Sequence, residues 1–391
     1  GTSVGTVTSF SFLISVALTL LLTGNKIRIS KFVVHFFVFQ IFAPFLSVVF
    51  SLEFSFRLIM LNVFYFSIFL LSYNSFFAYG VEFFKKLFLF SLLFSVFAGF
   101  YSLYDAYSFY GFAEIADASA TLVGGRAFGF FLQPNSFAAS LIYTLIAVWF
   151  LLGSERKTVN LSFIGVLGLI TSGSRSNIIG FSIILIFLFL YSLKIYGFNY
   201  FRIFYKKLFF PLFGLIFIVV FMLASGKDQL LYFEYDEFDK LSYRIEFLAN
   251  LNEDSVENDD SMEIRLTAQK YFWLKIWENP IFGHGLDAKE RFSQSGELMG
   301  SSHNEYLKYL LIGGFVYLFF YLIFLMYLFN VGLRSYFLKK LTFSAFVFCF
   351  LVFTIFISFF TNTVFDNRVV FVVLGAMAGY YDKEVVNNII K

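Results

Sequence analysis

The chain has 391 residues, of which 59% are hydrophobic and 23% aromatic, and its mean hydropathy is +0.78. Soluble globular domains do not reach these values, so the composition excludes a soluble domain and indicates a membrane protein. The formal net charge of +3 is too small to indicate a protein that binds nucleic acid. The single cysteine, Cys349, excludes a disulfide framework.

Apolar runs of membrane-spanning size recur along the whole chain. Crossing the hydrocarbon of a bilayer takes about 20 residues of helix. We therefore predict eleven transmembrane helices, near residues 7–23, 32–50, 58–73, 87–104, 137–152, 159–172, 177–193, 208–224, 305–329, 342–360 and 369–381. Lysine and arginine in the connections place the N-terminus of the first predicted helix outside, and we expect a twelfth helix ahead of Gly1.

The same charge distribution predicts a helical hairpin in the middle of the chain. The segments 153–157 and 194–207 are both basic, which places both in the cytoplasm. An even number of crossings must then lie between them. The short apolar run at 159–172 therefore pairs with the next run, in a hairpin that turns at Thr171–Ser176.

Hydropathy divides the chain into three parts. We predict an N-terminal transmembrane bundle of about eight helices over 1–224, a large outer loop over 225–304, and about three C-terminal transmembrane helices over 305–391. The predicted fold class is thus an all-α polytopic membrane protein.

The large outer loop is itself patterned. Residues 250–261 are acidic and of low complexity, which predicts a mobile tether. Helical spacing over 262–277 predicts an amphipathic helix, which Asn279-Pro280 ends. The run Ile-Phe-Gly-His-Gly at 281–285 then predicts a tight glycine turn that leads toward His303.

His303 is the candidate catalytic residue, because it alone among the three histidines lies where the large loop meets a membrane helix. A histidine with an ordinary pKa of about 6.5 is partly neutral near pH 7 and can act as a general base. The alternative is an interfacial histidine that hydrogen-bonds a loop carbonyl. His284 is predicted to be a loop hydrogen-bonder, and His35 a polar contact between helices. Gly313 and Gly314 predict close packing of the helix that follows His303.

Arg126, Arg175 and Arg265 are candidate ligands for phosphate. The short outer loops contain Arg57, Arg126, Arg175 and Arg368 but no lysine, and the planar guanidinium grips phosphate in a bidentate manner. Arg175 lies between two apolar runs with almost no loop, a costly position for a charge without function. Arg126 precedes the helix that starts near Pro134, and its alternative role is an interfacial anchor.

Arg265 begins the predicted amphipathic helix of the large loop. Its alternative role is a surface salt bridge with Glu263 or Glu278. The sequence has no Asp-x-Asp pair on an outer loop, no Cys/His cluster and no phosphate-binding glycine loop. We therefore predict neither a metal site nor a cofactor, with arginines supplying the positive charge.

Taken in order, these motifs resemble the O-antigen ligase and polymerase family, membrane enzymes that transfer lipid-linked glycans in the bacterial periplasm. The resemblance covers about 120–320. Its most specific part is His303-Asn304, nine residues, Gly314, two residues and Tyr317, which is similar to the family's histidine motif. The family fold is a GT-C-type bundle with one large periplasmic loop. The predicted count of about 11–12 helices departs from the family only by the helix expected ahead of Gly1.

The resemblance implies roles for particular residues. Arg126, Arg175, Arg265 and Asn304 would bind the pyrophosphate and sugar of an undecaprenyl-pyrophosphate donor, and His303 would deprotonate the acceptor hydroxyl. The implied location is the bacterial inner membrane, with the active site facing the periplasm. The implied partners are the lipid-linked glycan donor, a glycan acceptor, membrane lipids and a chain-length regulator.

Three functions are compatible with this reading. The first is a metal-independent inverting glycosyltransferase that polymerises lipid-linked O-antigen or polysaccharide repeat units. The second is an O-antigen ligase that transfers the glycan to lipid A–core, and the histidine motif does not separate the two. Heavy use of Phe, Ile, Asn, Lys and Tyr is typical of AT-rich polysaccharide gene clusters and favours the polymerase. A flippase for lipid-linked oligosaccharides is the third, although the halves of the chain differ.

Overall fold

The computed structural model describes residues 29–51, 55–104, 129, 133–152, 156–174, 176–188, 190–191, 193–194, 260–294, 303–361 and 363–386. Every regular element among these residues is a helix. Four of the helices are long and apolar enough to cross a membrane: Lys31–Ser51, Phe56–Ser102, Pro134–Leu151 and Glu305–Phe337. The chain is therefore an all-α polytopic membrane protein, and this prediction is confirmed.

In chain order the helices are α1 (Lys31–Ser51), α2 (Phe56–Tyr104), α3 (Pro134–Leu152), α4 (Arg156–Thr171), α5 (Ser176–Leu188), α6 (Asp260–Glu278), α7 (Ala288–Gln294), α8 (Glu305–Phe337), α9 (Leu341–Ile357) and α10 (Arg368–Tyr380). A short 3-10 helix, Val364–Asp366, precedes α10, and a π-helical turn, Tyr381–Val386, follows it. Nine of the predicted apolar runs coincide with these helices. The runs at 7–23 and 208–224, and the acidic tether at 250–261 up to Asp259, lie outside the described residues.

Two predicted spans, 58–73 and 87–104, both lie within α2. The helix is interrupted at Gly80, whose φ of 70° and ψ of −166° are not helical. Glycine adopts such a φ without the steric cost that a Cβ atom imposes. Lys383 Nζ donates to the carbonyl oxygen of Phe77 at 3.4 Å, which satisfies a carbonyl at the interruption. The break at Gly80 therefore separates the two predicted spans, where we expected a loop.

The described residues form two compact units, one from 1–84 and 259–391 and the other from 85–258. The core of the first unit is aromatic. Phe36 of α1 packs against Phe69 of α2 with ring centroids 4.3 Å apart, and Phe39 stacks on Phe324 of α8 at 5.4 Å. These rings are fully buried and hold α1, α2 and α8 together.

Close contact between α10 and α2 depends on two small residues, Gly375 and Gly379. A Cβ atom on Gly375 would lie 2.5 Å from the carbonyl oxygen of Phe69, and one on Gly379 would lie 2.6 Å from Phe76 Cβ. Ser72 Oγ donates across the same contact to the carbonyl oxygen of Val372 at 2.7 Å. Small residues four apart let the backbones of membrane helices approach in this way.

In the second unit, α3 and α4 pack closely as well. The surface of α4 that faces α3 carries Gly165 and Gly168, which contact Leu145 and Leu141. Residues 172–174 form a short turn after Thr171, and α5 begins at Ser176. The predicted hairpin between 159–172 and the following run is thus present as α4 and α5.

Candidate functional site

His303 lies immediately before α8 in a backbone conformation that residues other than glycine seldom adopt. Its φ is 46°, in the left-handed region, and its side chain is half-buried. Asn304 follows as the N-cap of α8, where its side-chain oxygen accepts the N–H of Leu307 at 3.1 Å. Such a cap satisfies an otherwise unpaired helix N–H. The candidate base therefore sits on a turn that its neighbour fixes to the helix end.

The first turn of α8 contains a buried carboxylate, Glu305, which is 0% exposed. Lys308 Nζ lies 3.3 Å from Glu305 Oε1 and 2.9 Å from Asp366 Oδ2. The lysine thus bridges a buried carboxylate and a more exposed one. A buried carboxylate is tolerated only when it is paired and hydrogen-bonded, and the helix N-terminus adds favourable charge.

The same carboxylate connects α8 to the segment between α9 and α10. Glu305 Oε2 accepts the backbone N–H of Val364 at 3.2 Å, and the N–H of Glu305 itself donates to the carbonyl oxygen of Ser358 at 2.8 Å. Tyr321 Oη lies 3.1 Å from Ser358 Oγ. We refer to Glu305, Lys308 and Asp366 as the charge cluster. Its bonds hold the segment 358–366 against the turn that carries His303.

A second feature of α8 is a backbone break two turns below His303. Gly313 and Gly314 have non-helical angles, with φ of 62° and ψ of −159° at Gly314. The N–H groups of Phe315 and Val316 donate to the carbonyl oxygens of Pro280 and Ile281, at 2.8 and 3.1 Å. These bonds replace the helical bonds that the break removes.

The carbonyl oxygens freed by the break are satisfied by the same loop. Leu311 and Ile312 accept the N–H groups of His284 and Gly285, both at 2.9 Å, and Ser47 Oγ also donates to Ile312 at 2.5 Å. The glycine turn over 281–285 is thus docked into the break by four backbone hydrogen bonds. The close packing predicted for Gly313 and Gly314 is present, and the neighbour is this loop. Their φ/ψ angles open the helix and admit it.

The other two histidines have structural contacts. One ring nitrogen of His284 donates to the carbonyl oxygen of Lys275 at 2.7 Å, in agreement with its predicted loop role. The Nδ1 of His35 bonds to the carbonyl oxygen of Lys31 in its own helix, and its ring stacks on Tyr327 of α8 at 4.0 Å. The contact between helices at His35 is therefore ring stacking, and the polar bond that was expected there is intrahelical.

The predicted amphipathic helix 262–277 is present as α6. Its Phe272 and Ile276 are buried together with Leu310 and Leu311 of α8. Ala268 of the same helix is also buried. Arg265 lies on α6, but its side chain falls outside the described residues, and its role as a phosphate ligand stays a prediction. Glu278, one of its alternative partners, lies 2.9 Å from Lys275.

Lys289, on α7, is a residue that the sequence analysis did not single out. Burial lowers its pKa, and the ammonium of Lys308 lowers the pKa further, whereas Asp366 and Glu305 act in the opposite direction. Lys289 is thus within electrostatic range of the charge cluster. The cluster itself was also missed, although Glu305 and Lys308 stand out as charges at the start of an apolar run. The spacing of residues in the sequence does not indicate that Lys308 joins Glu305 to Asp366.

In the second unit, the chain around Arg175 is built from short polar side chains. The buried Asn177 donates from Nδ2 to Ser174 Oγ at 2.8 Å and to the carbonyl oxygen of Asn135 at 3.2 Å. Asn135 begins α3, the helix that follows Arg126. The segment beside Arg175 therefore contacts the first turn of α3. Arg126 and Arg175 themselves lie outside the described residues, and their role as phosphate ligands stays a prediction.

Comparison with known protein families gives one match. Residues 161–322 match the model of the family described as O-antigen ligase. The matched segment includes Arg175, Arg265 and His303, whereas Arg126 precedes it. Comparison with curated proteins finds no match. The family resemblance predicted from the motifs is confirmed.

Proposed function

Because residues 161–322 match the model of the family described as O-antigen ligase, we propose that this chain is an inverting glycosyltransferase acting on lipid-linked glycans. In this proposal it polymerises undecaprenyl-pyrophosphate-linked repeat units on the periplasmic face of the bacterial inner membrane. The observation that carries the proposal is the left-handed backbone of His303 directly ahead of the capped end of α8.

A left-handed φ costs a residue with a Cβ atom about 1–2 kcal/mol, and glycine or asparagine would hold the same turn at lower cost. A histidine that stays in such a turn suggests a role for the imidazole, since strained residues concentrate at functional sites. Rigid surroundings support this role. Asn304 caps the helix. The next residue, Glu305, belongs to the charge cluster and accepts the N–H of Val364.

In the proposed reaction, the acceptor hydroxyl oxygen attacks the anomeric carbon of the donor sugar. The bond between that carbon and the pyrophosphate oxygen breaks, and undecaprenyl pyrophosphate leaves with the electron pair. His303 receives the hydroxyl proton, and a single displacement inverts the anomeric configuration. General-base assistance of this kind contributes about 10²–10⁴-fold to rate.

Arg126, Arg175 and Arg265, with Asn304, are proposed to bind the pyrophosphate and the adjoining sugar. The leaving group is already a stable anion, so its departure needs charge stabilisation rather than protonation. Guanidinium groups supply that charge without a metal. We therefore expect a chelator such as EDTA to leave turnover unchanged in reconstituted protein. Loss of activity that Mg²⁺ restores would contradict this part of the proposal.

The test uses full-length protein in lipid vesicles with an undecaprenyl-pyrophosphate-linked glycan. His303→Asn is the informative variant, because asparagine tolerates the left-handed turn but its amide cannot act as a general base near pH 7. We expect a loss of rate of about 10²–10⁴-fold, with donor binding retained. His303→Gly, which also fits the turn, should behave in the same way. Near-normal turnover by both variants would exclude His303 as the base.

The acceptor decides between polymerase and ligase. Vesicles that contain only lipid-linked repeat units should yield longer lipid-linked glycans if the chain is a polymerase. If glycan transfer requires added lipid A–core, the protein is a ligase. A flippase would form no glycosidic bond under either condition, so the covalent product separates all three functions.

A further inference from the structure

The depth of the α8 break in the membrane follows from the length of the helix. About 30 Å of hydrocarbon corresponds to about 20 residues of α-helix. Arg334 and then Lys339 and Lys340 mark the inner end of α8, and about 20 residues back from Arg334 is Gly314. The exposed large apolar side chains of α8 within this stretch include Phe315, Phe319, Leu322, Met326 and Phe329. The break therefore lies near the outer boundary of the hydrocarbon.

The docked loop places the end of α6 at the same depth. Pro280 and Ile281 are hydrogen-bonded to the backbone just below Gly314. The α6 helix ends two residues before Pro280, so its last turns run beside the outer boundary of the bilayer. Phe282 of this loop also stacks on Phe50 near the end of α1, with ring centroids 4.0 Å apart.

The side of α6 away from α8 is apolar and exposed. Phe272 and Ile276 face α8 and are buried, which accounts for one apolar stripe. A second stripe is uncovered: Trp273 is 44% exposed, Leu274 64%, Trp277 57% and Ile281 56%. The Trp273 and Trp277 rings pack edge to face at 5.7 Å. Exposed apolar residues on a soluble loop are unfavourable, so this second stripe needs an apolar neighbour.

We propose that the stripe formed by Trp273, Leu274, Trp277 and Ile281 binds the lipids of the outer leaflet, and that α6 lies in the membrane interface. Tryptophan favours this depth, because its ring is apolar and its N–H bonds to the headgroup region. An amphipathic helix at the interface buries its apolar side by several ångströms at the boundary of headgroups and acyl chains. The α6 helix is then interfacial rather than part of a solvated loop.

The three tryptophans of the chain provide the test, since Trp149 is the only one outside α6. Full-length Trp149→Phe protein is reconstituted in phosphatidylcholine vesicles that carry bromine at shallow or deep acyl positions. We expect strong loss of tryptophan fluorescence with shallow bromines, less with deep bromines, and little quenching by aqueous acrylamide. The Trp273→Phe/Trp277→Phe protein, which retains Trp149, reports the background.

A second probe does not depend on tryptophan. Leu274→Cys, in a Cys349→Ala background, carries a spin label, and Glu290→Cys on α7 is the matched site outside the stripe. The Leu274 label should be relaxed more by oxygen, which partitions into lipid, and the Glu290 label more by a water-soluble nickel chelate. Water-like results at both sites would overturn the proposal. So would protection from both quenchers, which would indicate that protein covers the stripe.

Discussion

A Cβ atom on Gly283 would lie 2.5 Å from the amide nitrogen of Gly313, closer than such atoms approach in proteins. One on Gly314 would collide with the carbonyl group of Ile281, so each side of the contact depends on the absence of a side chain. Gly283 and Gly314 also have φ of 69° and 62°. Glycine is required there for both conformation and contact.

Gly283→Ala and Gly314→Ala should each separate the docked loop from α8. Overpacking alone costs about 1–3 kcal/mol, and the left-handed φ adds to it. We expect lower melting temperatures in detergent micelles and faster hydrogen exchange at Phe315 and Val316. Gly332→Ala is the control, because its added Cβ would meet only the Phe348 ring at 3.0 Å. Equal stability of all three variants would contradict the packing described here.

Substitutions in the charge cluster should differ in their cost. Lys308→Met leaves Glu305 fully buried without its cation, a loss of about 3–5 kcal/mol. Glu305→Gln should cost less, because the amide oxygen still accepts the N–H of Val364. Asp366 is 43% exposed, so Asp366→Asn should cost about 0–1 kcal/mol. Thermal unfolding of the three variants measures the order, and a largest loss in Asp366→Asn would refute it.

Lys289 should react with acylating reagents at lower pH than free lysine. Burial and then Lys308 lower its pKa below 10.5, so a larger fraction of the amine is neutral at any pH up to that value. Mass spectrometry of pulse-labelled protein across a pH series gives the midpoint. Lys308→Met removes one of the two lowering effects and should shift the midpoint upward. A midpoint at or above 10.5 in the unmodified chain would show that Lys289 is not buried near this charge.

Arg175→Lys should lower glycan transfer strongly, although the charge is kept. Lysine cannot reproduce the bidentate guanidinium contact with phosphate oxygens. Arg57→Lys is the matched control, since Arg57 is an exposed arginine at the start of α2. Initial rates with saturating donor are the measurement. If both variants transfer glycan at the normal rate, Arg175 does not grip the pyrophosphate.

Hydropathy and charge predicted the described helices well, because burial in lipid acts on composition over about 20 residues. The α4–α5 hairpin followed from two basic segments alone. Gly80 was not recognised as a helix break, since an isolated glycine also occurs in uninterrupted membrane helices. Whether such a glycine interrupts its helix depends on its φ and ψ angles, which composition does not determine.

At the candidate site, the sequence indicated that a membrane helix begins just after His303, because a polar-to-apolar transition marks a helix start. The contacts that hold this start were not predictable. Glu305 meets Val364 and Lys308 meets Asp366 only after α8, α9 and α10 have packed. The pairing of Gly283 with Gly313 likewise needs the three-dimensional approach of two backbones.

The break in α8 has a consequence for how the chain is made. Synthesis proceeds from the N-terminus, so the 279–285 loop leaves the ribosome before α8 is complete. Until that loop docks, the carbonyls of Leu311 and Ile312 and the N–H groups of Phe315 and Val316 lack their observed partners. Unpaired backbone groups are costly wherever the bilayer excludes water, so docking of the loop completes this pairing. The outer end of α8 is thus completed by a segment that is translated before it.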